Sequence, residues 1–194
     1  HGERANYISS AYDANSGKIV VAYAQESSNF GTAVAGEIVG DTIVFDTPVV
    51  FRSTDSTHVS VCFDQSSGKV VIAFTDPSDG QKGKAVVGTV SGDTIIFASP
   101  VVFESKTYTA YCSANYDPSV EKVVIAYMRG TGGSAVVGSI VNGTLSFGQP
   151  SSFLTSGPAI FVASAYDPIS ESTIIAYQDN SNGKAGTALV GKVA

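Results

Sequence analysis

The residues that could do chemistry are few in this 194-residue chain, and their spacing limits what each can do. The histidines are His1 and His58. An N-terminal His can chelate copper through its amine and ring, with a second His completing the site. His58, however, shares its place in an internal repeat with Tyr7, Tyr111 and Phe161, so it reads as a strand residue and His1 as a processing scar. Asp13, Asp64, Asp117 and Asp167 recur at fixed positions, and Gly or Pro follows within each turn, as it does after a capping Asp. Asp76-Pro77-Ser78-Asp79-Gly80 lacks the regular acidic spacing and closing Glu of a calcium loop. Gly130-Thr131-Gly132-Gly133-Ser134 leads into a strand pattern, whereas a phosphate cradle needs a helix N-terminus behind it. Gly-x-Ser-x-Gly, His-Glu-x-x-His and Walker motifs are absent. A Ser/His/Asp triad would have to draw on His1 or His58 without a nucleophile elbow. The reading is of a non-enzyme, with no catalytic residues, no metal ligands and no cofactor.

Binding chemistry has better raw material. Phe30, Tyr108 and Phe161 are the aromatic residues least bound to the repeat, and are the expected ligand contacts. Phe30 falls in a variable polar loop, where an exposed ring would need a reason. Asn142-Gly143-Thr144 is a glycosylation sequon at a predicted hairpin tip, which makes Asn142 a candidate glycan site.

These residues are carried by one unit written four times. Tyr12-Asp13, Phe63-Asp64, Tyr116-Asp117 and Tyr166-Asp167 mark equivalent ends of a first apolar run, A. A second run, B, ends at Tyr23, Phe74, Tyr127 and Tyr177, and is apolar enough to predict burial on both faces. A third, C, closes on Gly36, Gly88, Gly138 and Gly191, glycines expected to be structural, with positive φ as the test of that role. A fourth, D, covers Thr42–Phe45, Thr94–Phe97 and Thr144–Phe147, and the fourth copy stops before it. Pro48, Pro100 and Pro150 should end run D, and the residues after them should carry the chain inward. Ser9, Ser60, Ser113 and Ala163 are small residues at one place in run A, where strands would converge.

Four short strands about every 50 residues are the signature of propeller blades. The repeats resemble the β-propeller superfold across the whole chain. They lack the Gly-His and Trp-Asp pairs of Trp-Asp blades, the Ser-x-Asp-x-Gly-x-Thr-Trp box of sialidase-type blades, and the calcium loop of integrin-type blades. The resemblance implies an all-β propeller-type array of four blades, near 1–53, 54–105, 106–156 and 157–194, the last without its outer strand. It implies no functional residues.

The net charge of −6 argues against nucleic acid, which selects basic patches. No apolar run is long enough to span a membrane. Only 14% of residues are charged. That leaves a neutral polar surface, and with the sequon and a first residue other than Met it suggests a secreted, extracellular protein. Cys62 and Cys112 fall on opposite faces of equivalent strands, which disfavours a bridge. The expected function is a lectin-like module binding carbohydrate or another polar ligand through its B–C loops. One alternative is a carrier of an apolar pigment or lipid at a subunit interface. Another is a structural or adhesive segment of a longer protein. The bare strand edge of copy four predicts association as a homo- or heterodimer.

Overall fold

The computed structural model describes residues 4–193 and is all-β apart from one short 3-10 turn. Four antiparallel sheets follow one another along the chain in a propeller-like arrangement. In the first blade, β1 (Ala5–Asp13), β2 (Lys18–Gln25), β3 (Phe30–Val39) and β4 (Thr42–Phe45) run in order, and β5 (Val49–Asp55) also pairs with β3. The second repeats this with β6 (Thr57–Asp64), β7 (Lys69–Asp76), β8 (Lys82–Ser91), β9 (Thr94–Phe97) and β10 (Val101–Glu104). The third does so with β11 (Thr109–Asp117), β12 (Lys122–Arg129), β13 (Gly132–Val141), β14 (Thr144–Phe147) and β15 (Ser151–Leu154). Among the described residues the fourth has β16 (Ala159–Asp167), β17 (Ser172–Asp179) and β18 (Ala185–Gly191) and, as expected, no outer strand.

The prolines after run D interrupt a strand without ending it. Gly36 pairs with Phe45, and Ala33 of the same strand pairs with Val49. Thus β4 and β5 are two halves of one outer strand, joined by a bulge at Pro48, and Pro100 and Pro150 do the same. Pro lacks an N–H, so it sits where the ladder can spare one. This replaces the expected inward turn.

The C-run glycines also act differently from expectation. Strand C continues past them in blades one to three, and Gly36, Gly88, Gly138 and Gly191 are absent from the positive-φ positions. What fixes them is the outer strand. A methyl on Gly36, Gly88 or Gly138 would lie 2.8, 2.7 and 2.7 Å from the rings of Phe45, Phe97 and Phe147. A methyl on Gly31, Gly83 or Gly133 would overlap Phe51, Phe103 or Phe153. Each outer strand therefore lays two rings, six residues apart, over two glycines of strand C.

The second ring of each pair also reaches the next blade. Phe51 meets Phe74 at 5.3 Å, Phe103 meets Tyr127 at 5.1 Å and Phe153 meets Tyr177 at 5.2 Å. The hydrophobic clusters lie between blades, one at each junction. Cys62 and Cys112 point from opposite faces of their strands into the same junction, where both are free thiols. Burial pushes each thiol up to about 12, which keeps it protonated and unreactive. Strand B is buried on both faces only in β7 and β12. In β2 and β17 burial is broken by partly or fully exposed residues, since among the described residues the first and last blades each pack against one neighbour.

A second device joins the innermost strands. The Ser9 hydroxyl accepts the Val61 N–H at 3.1 Å, Ser60 accepts that of Ala114 at 2.9 Å, and Ser113 accepts that of Ser164 at 2.8 Å. Ala163 has no hydroxyl to continue the series. The small residues of run A are thus the hydrogen-bonding seam of the array.

Candidate functional site

The A–B turns place the repeated aspartates. The Asp13 carboxylate accepts the Asn15 and Ser16 N–H groups, and Asp64, Asp117 and Asp167 accept equivalent bonds two residues on. These are Asx turns. Among the described residues no three His, Cys, Asp or Glu side chains are grouped to hold a metal. His1, and with it the copper reading, lies outside the described residues.

The opposite end of the blades is different. There strand A begins, strand B ends and the B–C loops project, because Ala5 pairs with Gln25, Thr57 with Thr75, Thr109 with Arg129 and Ala159 with Asp179. Within the first two residues of each A strand the register slips at a bulge. Tyr7, His58, Tyr111 and Phe161 stand in these bulges with φ of 53°, 52°, 50° and 54°. That left-handed region suits Gly and is strained for a bulky side chain. All four copies nevertheless place a ring there.

The bulge turns these rings toward one another. Tyr7 and His58 are 4.9 Å apart between centroids, His58 and Tyr111 4.7 Å, and Tyr111 and Phe161 5.3 Å, all tilted or edge-to-face. Such geometry is favourable for ring quadrupoles. The result is a continuous aromatic row across the four innermost strands. Its ends are open, with Phe161 65% and Tyr7 44% exposed. Tyr108, 42% exposed, stands beside the row. Burial, and then the hydroxyls of Tyr111 and Tyr7, push its own hydroxyl above the usual phenol range. Burial pushes His58 below the ordinary imidazole range, so this ring is neutral at physiological pH.

Two of the three expected ligand residues, Tyr108 and Phe161, thus meet at this row. Phe30 begins β3, half-buried, opposite Asp55, with its N–H bonded to the Ser28 hydroxyl. It lies at the same end of the first blade but is no part of the row. The members not anticipated as contacts are Tyr7, His58 and Tyr111. Their signal was in the sequence as one repeat position that holds a ring in every copy. Asn142 lies at the other end, exposed in a turn where it and Gly143 have φ of 51° and 76°. Two positive φ values in succession are those of a tight hairpin turn.

Charged pairs brace the loop end. Arg52 Nη2 lies 2.7 Å from Asp76 Oδ2, and Lys84 bridges Asp76 at 2.9 Å and Asp79 at 2.7 Å. Lys82, then Lys84, hold the Asp79 carboxyl down to about 2. The Asp76–Gly80 segment is therefore occupied by cations of its own chain. One blade on, the signs are exchanged, with Glu104 in the place of Arg52 and Arg129 in that of Asp76, and these two are paired. Burial opposes the Glu104 charge, but the Lys106 N–H and Arg129 outweigh it and keep the carboxyl below its usual range. Tyr127 donates its hydroxyl to Glu104 at 3.3 Å.

The sequence matches no protein-family model and no curated protein. The fold is similar to that of a crystallised protein from Lactobacillus plantarum, a structural-genomics target, over 96% of this chain at 15% identity and a TM-score of 0.56. This chain spans 55% of that protein's length. The likeness supports the fold alone. No helix among the described residues is long and apolar enough to cross a membrane.

Proposed function

We propose that the chain is a non-enzymatic binding module that receives carbohydrate, or another polar ligand with a flat apolar face, on the aromatic row of Tyr7, His58, Tyr111 and Phe161. The observation that carries this is the left-handed backbone under all four rings. A non-Gly residue in that region costs about 1–2 kcal/mol, and such strain concentrates at sites of function. Bulges beside a site serve to re-aim side chains. Here they bring rings, phenol hydroxyls and one neutral imidazole to the end that also bears the variable loops. A pyranose stacks its C–H face on a ring and turns its hydroxyls to polar groups, and Tyr108 and Tyr7 supply both. With no Trp in the chain, tyrosine takes that part. Four similar copies make several neighbouring contacts with one extended ligand, which favours avidity. The polar surface and the exposed sequon at Asn142 suit a secreted setting.

The test is a glycan array read with the wild type and with Tyr108→Ala and Phe161→Ala. Both side chains are exposed, so melting temperatures should hold while binding weakens at least tenfold. Unchanged binding in both variants, or an array without a bound glycan, would remove this reading.

One observation favours a second reading, a carrier of an apolar small molecule. On the first blade a cavity of about 220 Å³ is lined mostly by apolar residues, Ala5, Ile8, Val21, Val34, Phe45 and Pro48, together with Tyr23 and Gln25. An absorbance spectrum of protein purified from its source separates the two, because a pigment would add visible bands.

A further inference from the structure

The charged pairs at the loop end differ between two junctions that the repeat makes equivalent. Where blade one meets blade two, the charges satisfy one another: Asp76 takes Arg52 and Lys84, and Asp79 takes Lys82 and Lys84. One blade on, the partners are fewer. Lys84 stands opposite Phe74, whereas the residue opposite Tyr127 is Ser134. Asp79 belongs to the loop between Asp76 and Lys82, and the shorter Gly130-Thr131 loop between Arg129 and Gly132 has no acidic residue. Arg129 is left with Glu104. That carboxylate is fully engaged: Oε1 accepts the Lys106 N–H at 2.8 Å, and Oε2 accepts the Arg129 Nε–H and the Tyr127 hydroxyl. Among the described residues the two terminal nitrogens of the Arg129 guanidinium make no hydrogen bond, and no carboxylate pairs with the Lys106 ammonium. Both cations line an open cleft of about 640 Å³ between two complete outer strands, β10 of blade two and β14 of blade three. Its charged lining is Glu104 against Arg129 and Lys106, a local positive surplus in a chain of net charge −6. Ser105, Ser146 and Gln149, all exposed, add two hydroxyls and an amide.

We propose that this cleft is a binding site for a sugar acid, whose carboxylate lies on the terminal nitrogens of Arg129 and on Lys106, and whose hydroxyls meet Ser105, Ser146 and Gln149. A planar guanidinium matches a carboxylate through parallel N–H bonds, and an ammonium adds a point charge. Glu104, 3% exposed, holds the guanidinium from behind and cancels one positive charge. The guanidinium is therefore placed before the ligand arrives, which lowers the cost of binding. The remaining positive charge calls for a single negative one, as a carboxylate carries, and the neutral polar groups call for hydroxyls around it. Neither the four rings of the row nor Tyr108 lines the cleft, so the site is separate from the aromatic row.

The probe is sodium glucuronate, titrated into the isotope-labelled full chain and followed by backbone amide shifts. Saturable shifts at Ser105, Lys106, Arg129, Ser146 and Gln149 are expected at millimolar ligand. Glucose, which lacks the charge, and acetate, which lacks the hydroxyls, should each bind at least tenfold more weakly. Lys106→Gln changes an exposed side chain and keeps the backbone N–H that Glu104 accepts, so the melting temperature should hold. It should weaken glucuronate about fivefold, the upper range for an exposed ion pair. Arg129→Lys keeps a cation beside Glu104 and loses the planar fork, and should weaken it about tenfold or more. Tyr108→Ala should leave glucuronate binding intact, which keeps this result separate from the glycan array. Absence of saturable shifts at millimolar glucuronate would overturn the proposal, as would equal binding of glucose, acetate or inorganic sulfate. So would glucuronate binding indifferent to Lys106→Gln, whatever Arg129→Lys does to the fold.

Discussion

His58 is the one member of the aromatic row that changes charge near neutral pH. Its folded-state pKa lies below the ordinary value because burial disfavours the imidazolium. The unfolded chain therefore binds the proton more tightly. Stability is full above about pH 6.5, and it declines as the pH falls from there toward the folded pKa. His58→Phe, which copies the residue at the same place in the fourth blade, should abolish that part of the decline and keep the row stacked. The check is the difference in melting temperature between variant and wild type from pH 7.5 to 5; a difference constant with pH would show that His58 is not responsible. A second residue-scale prediction lies at the A–B turns. Gly17 and Gly68 occupy left-handed positions with φ of 72° and 65°, while Glu121 and Glu171 hold the same positions at 55° and 49°. Replacing either Glu by Gly should stabilise the chain by about 1 kcal/mol, the usual cost of a side chain in that region. Denaturant midpoints with unchanged slope would show it; a loss of stability would mean that the Glu side chains make compensating contacts. Turn chemistry of this kind was legible in the sequence, since Asp followed by Gly or Pro states a backbone need. The role of the rings was not. Tyr7, His58, Tyr111 and Phe161 differ in chemistry, and only the bulge reveals that one strained backbone position unites them.

At the scale of the element, the outer strand organises each junction. It was half legible. Run D and its hairpin turn follow from Thr-x-x-Phe after Gly-Asp or Asn-Gly, yet the Pro that follows reads as a stop. It proved to be a bulge, because whether a Pro ends a strand or interrupts it depends on the partner opposite, which a local pattern does not contain. The glycines of strand C were legible as structural for the wrong reason. Their backbone is ordinary, and the ring laid across them excludes a side chain. A steric role predicts a context effect that a backbone role does not. Gly88→Ala, with Phe97 and Val70 within 3 Å of the new methyl, should cost about 1–3 kcal/mol, as overpacking does. Gly191→Ala, at the same repeat position but without an outer strand, should lie within about 0.5 kcal/mol of wild type. Equal losses at both sites would return the explanation to the backbone.

For the whole molecule, repetition and an interrupted end together set how stability is distributed. The four-blade order and the truncated fourth copy were readable from the spacing alone, because equivalent strands recur at equal intervals. What joins the blades was not readable, since a Ser in an apolar strand carries no label for the neighbour it will bond. Repeat arrays are stabilised chiefly by nearest-neighbour interfaces. Blades two and three have two such interfaces and bury their B strands throughout; blade four has one, with the smallest cluster. Amides of β7 and β12 should therefore exchange with solvent only through global unfolding, whereas those of β17 and β18 should exchange earlier, through opening of the last blade. Ser113→Ala tests the coupling directly. It leaves the Ser164 N–H without its acceptor and removes the 3.0 Å contact between the two hydroxyls. An orphaned donor at a packed junction costs about 1–3 kcal/mol. The loss falls on one junction, so exchange in β17 and β18 should accelerate by one to two orders of magnitude while exchange in β7 changes less. If all the strands accelerated together, the chain would be a single cooperative unit, and the seam of serines would be a contributor to global stability rather than a hinge between the third blade and the fourth.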